Sequence, residues 1–428
     1  MPHLVRLIRN DQPKRRLADQ EGLPHPAPVR LRAVLKLTIA ALVVAGSATL
    51  ALSSASHHGH RTTTGQAATR SPAGSATTRP ATSPTTLVRR LTVAQLAGQR
   101  IVYAYHGLVP PQALLHRIRA GEAAGVILFG PNIGTRQQTL TAVAELQRAA
   151  TDSVVHAPLL IMTDQEGGLI RRLPGAPELS EKQIGESPDA TALAAEAGRG
   201  AGANLARVGI NVNLAPVLDV FRQPGDFIDS YQRSYSMNPN LVAKVGGAFI
   251  TAQQLAGVAA TAKHFPGLGA AGASQDTDEA SVRLDIPLRE LRSVDERPYT
   301  TAITDGVKLV MTSWATYPVL DPRLPAGLSP TVIQGELRRR LGFRGVTITD
   351  SLAAGALAAF GGFGERGVLA ARAGANLILC SARRVAENNP GEGTDVLRAV
   401  TAGLADGRLE RASAEAAAVR TLRLRLHL

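Results

Sequence analysis

Short apolar, β-branched runs recur along the chain from about residue 88 onward. Each is closed by a polar residue or a glycine-rich turn and followed by a longer stretch of helical period. Eight such runs stand at 101–105, 125–129, 158–163, 211–218, 258–264, 309–313, 345–349 and 375–380. They are continuously apolar rather than alternating, as strands of a parallel sheet are when helices cover the outer face. Ser187-Pro188, Asn238-Pro239 and Ser329-Pro330 each place a small polar residue before a proline, the punctuation of a helix start. They predict helices running to about Val208, Leu255 and Leu341-Gly342. Eight strands alternating with helices close a βα barrel, so the expected fold is α/β, a (β/α)8 TIM-type barrel forming a single domain over residues 88–428.

The chain before residue 88 has a different texture. Residues 1–32 are polar and basic, and Lys36 precedes an unbroken apolar run at 37–52. That length suits a signal-peptide core or a short membrane anchor, and the positive N-terminal flank leaves the rest of the chain outside. Small residues follow (Ser53-Ser54-Ala55-Ser56), compatible with cleavage. From 53 to 87 the chain is rich in Thr, Ser, Ala and Pro with almost no large apolar residues, too little to offset ordering entropy. Three parts are therefore expected: 1–52 as signal or anchor, 53–87 as disordered spacer, and 88–428 as the barrel. The barrel would lie in the extracellular space or on the outer face of the cytoplasmic membrane, touching the membrane only through the N-terminal segment.

Charge sharpens this picture. The formal net charge is +13, yet 13 of the 47 Lys/Arg and only three of the 34 Asp/Glu lie in residues 1–90. The barrel is close to neutral and shows no basic stripe with interleaved aromatics, which argues against nucleic acid as a partner. The single cysteine, Cys380, ends an apolar run and reads as a core residue. No Cys/His cluster has metal-ligand spacing, so no metal is expected.

The polar residues that close the strands carry the chemistry. Asp164 follows Leu159–Thr163, Asp219 follows Ala215–Leu218, Lys263 and His264 end the fifth run, and Asp350 follows Val346–Thr349. All stand at expected C-terminal strand ends, the face on which barrel enzymes build their sites. After Lys263-His264 come Phe265-Pro266-Gly267-Leu268-Gly269, which cannot prolong a strand and form a loop. The plainer reading of these residues is an internal ion-pair network joining Asp164 to Arg172 or Lys263, and the two readings are compatible.

At these residues the chain resembles family 3 glycoside hydrolases of the bacterial β-N-acetylhexosaminidase type. The matching blocks, in order, are Gly125–Gly130 with Asn132, Asp164-Gln165-Glu166-Gly167-Gly168 with Arg172, Ala215-Pro216-Val217-Leu218-Asp219, Asp229 with Arg233-Ser234, Lys263–Gly267, and Thr349-Asp350-Ser351-Leu352. The resemblance implies a retaining, exo-acting enzyme that removes terminal β-linked N-acetylglucosamine and needs no cofactor. Its partner would be a carbohydrate, such as a cell-wall glycan or muropeptide. It places Asp350 as the nucleophile; the neighbouring Thr349 and Ser351 are expected, on their chemistry, to donate hydrogen bonds that keep the carboxylate ionised. Asp164, Arg172, Arg233, Lys263 and His264 fall on sugar-binding positions. Asp219 is expected to support the site, orienting Arg233. A broad β-glucosidase of the same family and a catalytically inactive sugar-binding barrel are the alternatives.

One departure stands out. Members of this type usually carry an Asp-Ser-His pattern after the Lys-His block, with the His as acid/base. Here the loop reads Ala270-Ala271-Gly272-Ala273-Ser274-Gln275-Asp276-Thr277-Asp278-Glu279, and no His occurs between His264 and His427. Leu268 likewise replaces a family His, and Leu169 an Arg. Three readings follow. In the first, a carboxyl group replaces the imidazole if burial raises its pKa, the candidates being Asp278 first, Asp276 second, and Glu279. In the second, the substrate has a leaving group that needs little protonation, or the acceptor is an anion other than water. In the third, hydrolysis is lost and binding retained.

Overall fold

The computed structural model describes residues 83–381 and 391–428. The basic segment, the apolar run expected to be signal or anchor, and nearly all of the expected spacer lie outside the described residues. Among the described residues no helix is long and apolar enough to cross a membrane. Residues 84–87, read from composition as the end of the spacer, belong to a helical turn, Pro84–Val88. Ser83 caps it by accepting from the Thr86 amide, Pro84 fits its first position, and Leu87 and Val88 pack on Ala414, Ala418 and Leu422.

The eight expected strands form one closed parallel barrel. In chain order the strands are β1 (Ile101–Tyr103), β2 (Gly125–Ile127), β3 (Leu160–Thr163), a hairpin of β4 (Gln165–Gly167) and β5 (Ile170–Arg171), β6 (Val212–Asn213), β7 (Ala259–Phe265), β8 (Leu309–Thr312), β9 (Val346–Thr349) and β10 (Ile378–Leu379). Without the hairpin, each barrel strand pairs with its successor. β10 returns to β1 at Ile101↔Ile378, and the bridge Ile348↔Leu377 joins it to β9. The fourth run, at 211–218, is a regular strand only over Val212–Asn213, and Pro216 within it has no N–H for the ladder. Contact with β7 continues through carbonyls, Ala215 accepting from the Thr261 amide at 2.9 Å and Pro216 from the Lys263 amide at 3.3 Å, and Val217 bridges Lys263, with the Leu218 amide donating to the Lys263 carbonyl at 2.7 Å.

The helices begin where the punctuation put them, at Ala190–Ala206, Pro239–Leu255 and Thr331–Arg340, the last wound more widely, with i→i+5 bonds. Inward-facing residues, among them Val102, Ile127, Met162, Leu309 and Ile348, fill the barrel, and Leu424 of the C-terminal helix Arg411–Leu426 closes its floor. The outer strand faces pack on the helices. Both surfaces of each strand are therefore dry, and the strand tips at the C-terminal mouth are left to carry polar groups.

Candidate active site

The mouth is assembled strand by strand. β3 delivers Asp164, and the chain then doubles back through the β4–β5 hairpin. Gly167 permits that reversal: its φ is 116°, and a Cβ would lie 2.2 Å from the Leu179 carbonyl oxygen. Fully buried Gln165 pins the hairpin. Its Nε2 donates to the carbonyls of Leu173 and Ala176 (3.0 and 3.1 Å), and its Oε1 accepts from the amides of Arg172 and Leu173 (3.0 and 2.9 Å). The Gln165 amide in turn donates to Asn213 Oδ1 on β6 at 2.9 Å. Arg172 is thereby carried back to the mouth beside Asp164.

β7 supplies the next two groups. Its ladder with β8 slips between Ala262 and Phe265, which breaks the regular alternation, and both Lys263 and His264 line the pocket. Lys263 Nζ donates to Asp164 Oδ1 at 2.8 Å and lies 2.7 Å from Glu166 Oε1. Arg233, from the loop after β6, grips Glu166 with two parallel bonds, Nε to Oε2 and Nη2 to Oε1, each 2.9 Å. Arg172 Nη2 is 4.0 Å from Asp164 Oδ2. The expected ion-pair network is present, with Glu166 at its centre.

Burial and charge compete at Glu166. Burial raises its carboxyl, but Arg233 and Lys263 outweigh that and hold it at about 2. Burial likewise works against the protonated forms of Lys263 and Arg233, yet Asp164 and Glu166 shift Lys263 upward, and Glu166 shifts Arg233 upward. These cations stay charged inside a nearly dry cluster. Behind it, Glu181 is held well above the usual carboxylate range, by burial and then by the charge of Glu166. Its Oε1 accepts from the Val217 amide at 2.9 Å.

Asp219 departs from its expected role. It does not orient Arg233, which Glu166 already holds. Its fully buried carboxylate accepts instead from His264 Nδ1 (2.7 Å), the His264 amide (3.1 Å) and the Leu268 amide (2.7 Å). Asp219 therefore fixes both the His264 ring and the loop that leaves β7. His264 Nε2 points to Arg233 Nη2, 3.4 Å away.

Asp350 follows β9. Its Oδ1 accepts from the Ser351 backbone amide at 2.7 Å. The two hydroxyls expected to donate to it act as acceptors, Thr349 Oγ1 from the Leu379 amide at 2.9 Å and Ser351 Oγ from the Ala353 amide at 3.2 Å, and the donor found at the Asp350 carboxylate is the Ser351 amide. Across the pocket, Asp276 Oδ1 accepts from the Asp278 amide at 2.8 Å, folding the Asp276 carboxylate into its own turn. Glu279 is exposed.

The eight side chains given catalytic or sugar-binding roles from the sequence (Asp164, Arg172, Arg233, Lys263, His264, Asp276, Asp278 and Asp350) line this one pocket, together with Glu166 and an apolar floor of Ile127, Leu214, Met311 and Leu379. A larger hollow, about 610 Å³ against about 130 Å³, lies between the helices Ala190–Ala206 and Pro239–Leu255. It is lined mainly by small apolar residues and offers only Arg199 and Asp305 as charges, so convergence of polar groups, not size, marks the site. Sequence reasoning passed over Glu166 as a site residue. The available signal was a second carboxylate two residues beyond Asp164, just before Gly167-Gly168. Among the described residues no group of three His, Cys, Asp or Glu side chains is placed to hold a metal.

Comparison with known proteins points the same way. Residues 91–424 match the model of the glycosyl hydrolase family 3 N-terminal domain. An uncharacterized secreted glycosyl hydrolase of Arthroderma benhamiae is 44% identical over 317 residues, covering 74% of this chain and 88% of the relative. A beta-hexosaminidase of Xanthomonas oryzae pv. oryzae is 36% identical over 273 residues, covering 62% and 78%. Among solved structures, a family 3 β-N-acetylglucosaminidase from a Paenibacillus species superposes with a TM-score of 0.73 at 36% identity, covering 79% of this chain and 62% of that one. A β-N-acetylhexosaminidase from Beutenbergia cavernae does so with a TM-score of 0.69 at 30% identity, covering 78% and 98%.

Proposed function

We propose that this chain, which belongs to glycosyl hydrolase family 3, is an exported, retaining β-N-acetylhexosaminidase that removes terminal β-linked N-acetylglucosamine from cell-wall-derived glycans. It is a glycoside hydrolase by family. The substrate, the export and the individual roles below are our reading. The observation that carries them is the pocket itself, where a carboxylate on a rigid strand tip faces a charged cluster suited to sugar hydroxyls.

In this reading the Asp350 carboxylate attacks the anomeric carbon, forming a glycosyl ester, while the departing glycosidic oxygen takes a proton from Asp278. The Asp278 carboxylate then removes a proton from water, which attacks the same carbon. Asp350 leaves, and the sugar is released with its anomeric configuration retained. Asp276 supports the turn that presents Asp278. Asp164 accepts from sugar hydroxyls, and Lys263, His264, Arg172 and Arg233 supply donors, with Glu166 holding Lys263 and Arg233 in place. The two carboxyl groups supply the chemistry without a cofactor. The 1–52 segment would direct export, as signal or membrane anchor, with 53–87 as spacer; the secreted description of the Arthroderma relative supports that placement outside the cell.

Asp350→Ala is expected to abolish release of a chromogenic leaving group from an aryl β-N-acetylglucosaminide, a loss of at least ~10⁴-fold in kcat. A 2-deoxy-2-fluoro sugar inactivator should add its mass to the one peptide containing Asp350. Undiminished turnover by that variant sinks the proposal. Faster turnover of aryl β-glucosides than of β-N-acetylglucosaminides would select a β-glucosidase. Binding of N-acetylglucosamine without turnover of even activated glycosides would select an inactive sugar-binding barrel.

A further inference from the structure

The segment after β9 begins with Asp350 and, five residues on, meets the backbone of the loop that carries Asp278. The Gly355 amide donates to the Asp278 carbonyl at 2.8 Å, and the Ala356 amide to the Thr277 carbonyl at 3.0 Å. The approach leaves no room for a side chain. A Cβ on Gly355 would lie 2.2 Å from the Glu279 carbonyl oxygen, 2.5 Å from its carbon and 2.9 Å from the Asp278 oxygen. All three are backbone atoms, so no rotamer change relieves the contact.

The segment is also held from behind. Trp314 Nε1 donates to the Ser351 carbonyl at 2.8 Å, Arg366 Nη1 to the Leu352 carbonyl at 2.7 Å, and the Leu352 amide to the Leu379 carbonyl at 3.1 Å. On the facing loop, Thr277 is buried and the Asp276 side chain closes the turn through the Asp278 amide. Two rigid pieces of backbone therefore meet at Gly355, one bearing each reacting carboxyl group.

We infer that Gly355 is a positioning residue: the backbone seam it permits fixes the loop of Asp278 onto the loop of Asp350, so that the spacing of nucleophile and proton donor is set before substrate binds. The inference rests on Asp278 as the proton donor. It assigns the seam an effect on the two proton transfers of Asp278, to the leaving group and from water, and none on the attack by Asp350. A group carried about 1 Å out of place can cost ~10²-fold in rate, a loss confined to the step that uses it.

The test compares Gly355→Ala with Gly362→Ala, a glycine of the same segment whose Cβ would meet nothing within 4 Å. Each is assayed on 2,4-dinitrophenyl β-N-acetylglucosaminide, which needs little protonation, and on the disaccharide of β-1,4-linked N-acetylglucosamine, which needs much. Gly355→Ala should lower kcat/KM on the disaccharide about 30- to 100-fold while leaving kcat/KM on the activated substrate, which reports only the first step, within ~3-fold of the parent. Gly362→Ala should match the parent on both. Ala356→Pro removes the other amide of the seam and should shift the same ratio about 3- to 10-fold; it carries the test if Gly355→Ala does not fold. Equal losses of kcat/KM on both substrates, or none, overturn the inference. Asp278→Asn in parallel separates the two layers. If it shows the leaving-group dependence while the seam variants do not, only the seam fails. If it shows none, the proton-donor reading and the inference fall together.

Discussion

Both ends of the barrel bury cationic side chains, and they hold them in opposite ways. At the floor, Arg425 donates from Nε to the Pro158 carbonyl (2.7 Å) and from Nη2 to that of Ala157 (2.8 Å), and Nη1 reaches Gln99 Oε1. Arg100 donates to the carbonyls of Ala375 (2.7 Å) and Ser413 (3.2 Å). Arg338 reaches those of Phe343 (3.0 Å) and Gly345 (2.7 Å) and Asn376 Oδ1 (2.6 Å). Burial lowers all three, Arg425 and Arg338 to about 9 and Arg100 to about 10, so they remain charged at neutral pH among neutral oxygens. At the mouth, Lys263 and Arg233 face Asp164 and Glu166, and their protonated forms are favoured. The floor arginines gather the carbonyls that end helices and begin strands, which is a structural task. The mouth cations are tied to carboxylates that a polar ligand can share. A buried cation therefore marks a site only together with the charge of its partners.

The sharpest way to break this comparison is to remove one cation from each end. Lys263→Met should lower kcat/KM by ~10²-fold or more, because a donor is lost and Asp164 and Glu166 are left partly uncompensated. Arg425→Met should leave the kcat of the folded enzyme within ~2-fold but cost about 3–5 kcal/mol of stability, since several buried acceptors lose their donor together. Kinetics and denaturant unfolding on both variants decide it. A large kinetic loss in Arg425→Met with intact stability would erase the distinction between floor and mouth.

Next in size comes the response to pH. The Glu166 carboxyl is depressed in the folded state, so its stabilising contribution is present above about 4.5 and is lost as pH falls toward 2, on the order of 3 kcal/mol in all. Glu181 runs the other way. Its raised carboxyl keeps a proton that the unfolded chain releases, so it makes stability fall as pH rises above the usual carboxylate range. Glu166→Gln should flatten the acid limb of a stability–pH curve. Glu181→Gln, which keeps the acceptor for the Val217 amide, should be more stable than the parent at pH 7 and alike at pH 4. Parallel curves for the parent and both variants would show that neither carboxyl is shifted as described.

The difference between the two ends also explains what the sequence could reveal. The strand runs were legible because a strand dry on both faces must be apolar throughout, and the mouth residues because they interrupt those runs at one end. Asp164, Lys263, His264 and Asp350 all announce themselves in this way. Glu166 does not, because it lies in a hairpin whose strands are two and three residues long, below any periodicity. Asp219 was visible, but its partners, a ring nitrogen and two amides of the β7 loop, depend on where that loop turns. The floor arginines left almost no trace. Most of their partners are backbone carbonyls, which every residue has, so no spacing of side chains announces them.

The smallest effect sharpens the mouth itself. Asp276 and Asp278 line the same pocket, and the Asp278 amide donates to Asp276 Oδ1 at 2.8 Å. Asn at 276 keeps an oxygen in that place, so Asp276→Asn should hold kcat within ~3-fold on good and poor leaving groups alike. Asp278→Asn removes both the acidic proton and the base for water, so its kcat/KM should fall selectively on poor leaving groups, by ~10²-fold or more, while kcat on activated substrates is limited by the second step. Azide, a small nucleophile that needs no general base, should restore turnover of activated substrates by Asp278→Ala, with a β-glycosyl azide as product. If Asp276→Asn carries the leaving-group dependence and Asp278→Asn does not, the two exchange roles. The turn would then present Asp276, and its bond to the Asp278 amide would have to open when the sugar binds.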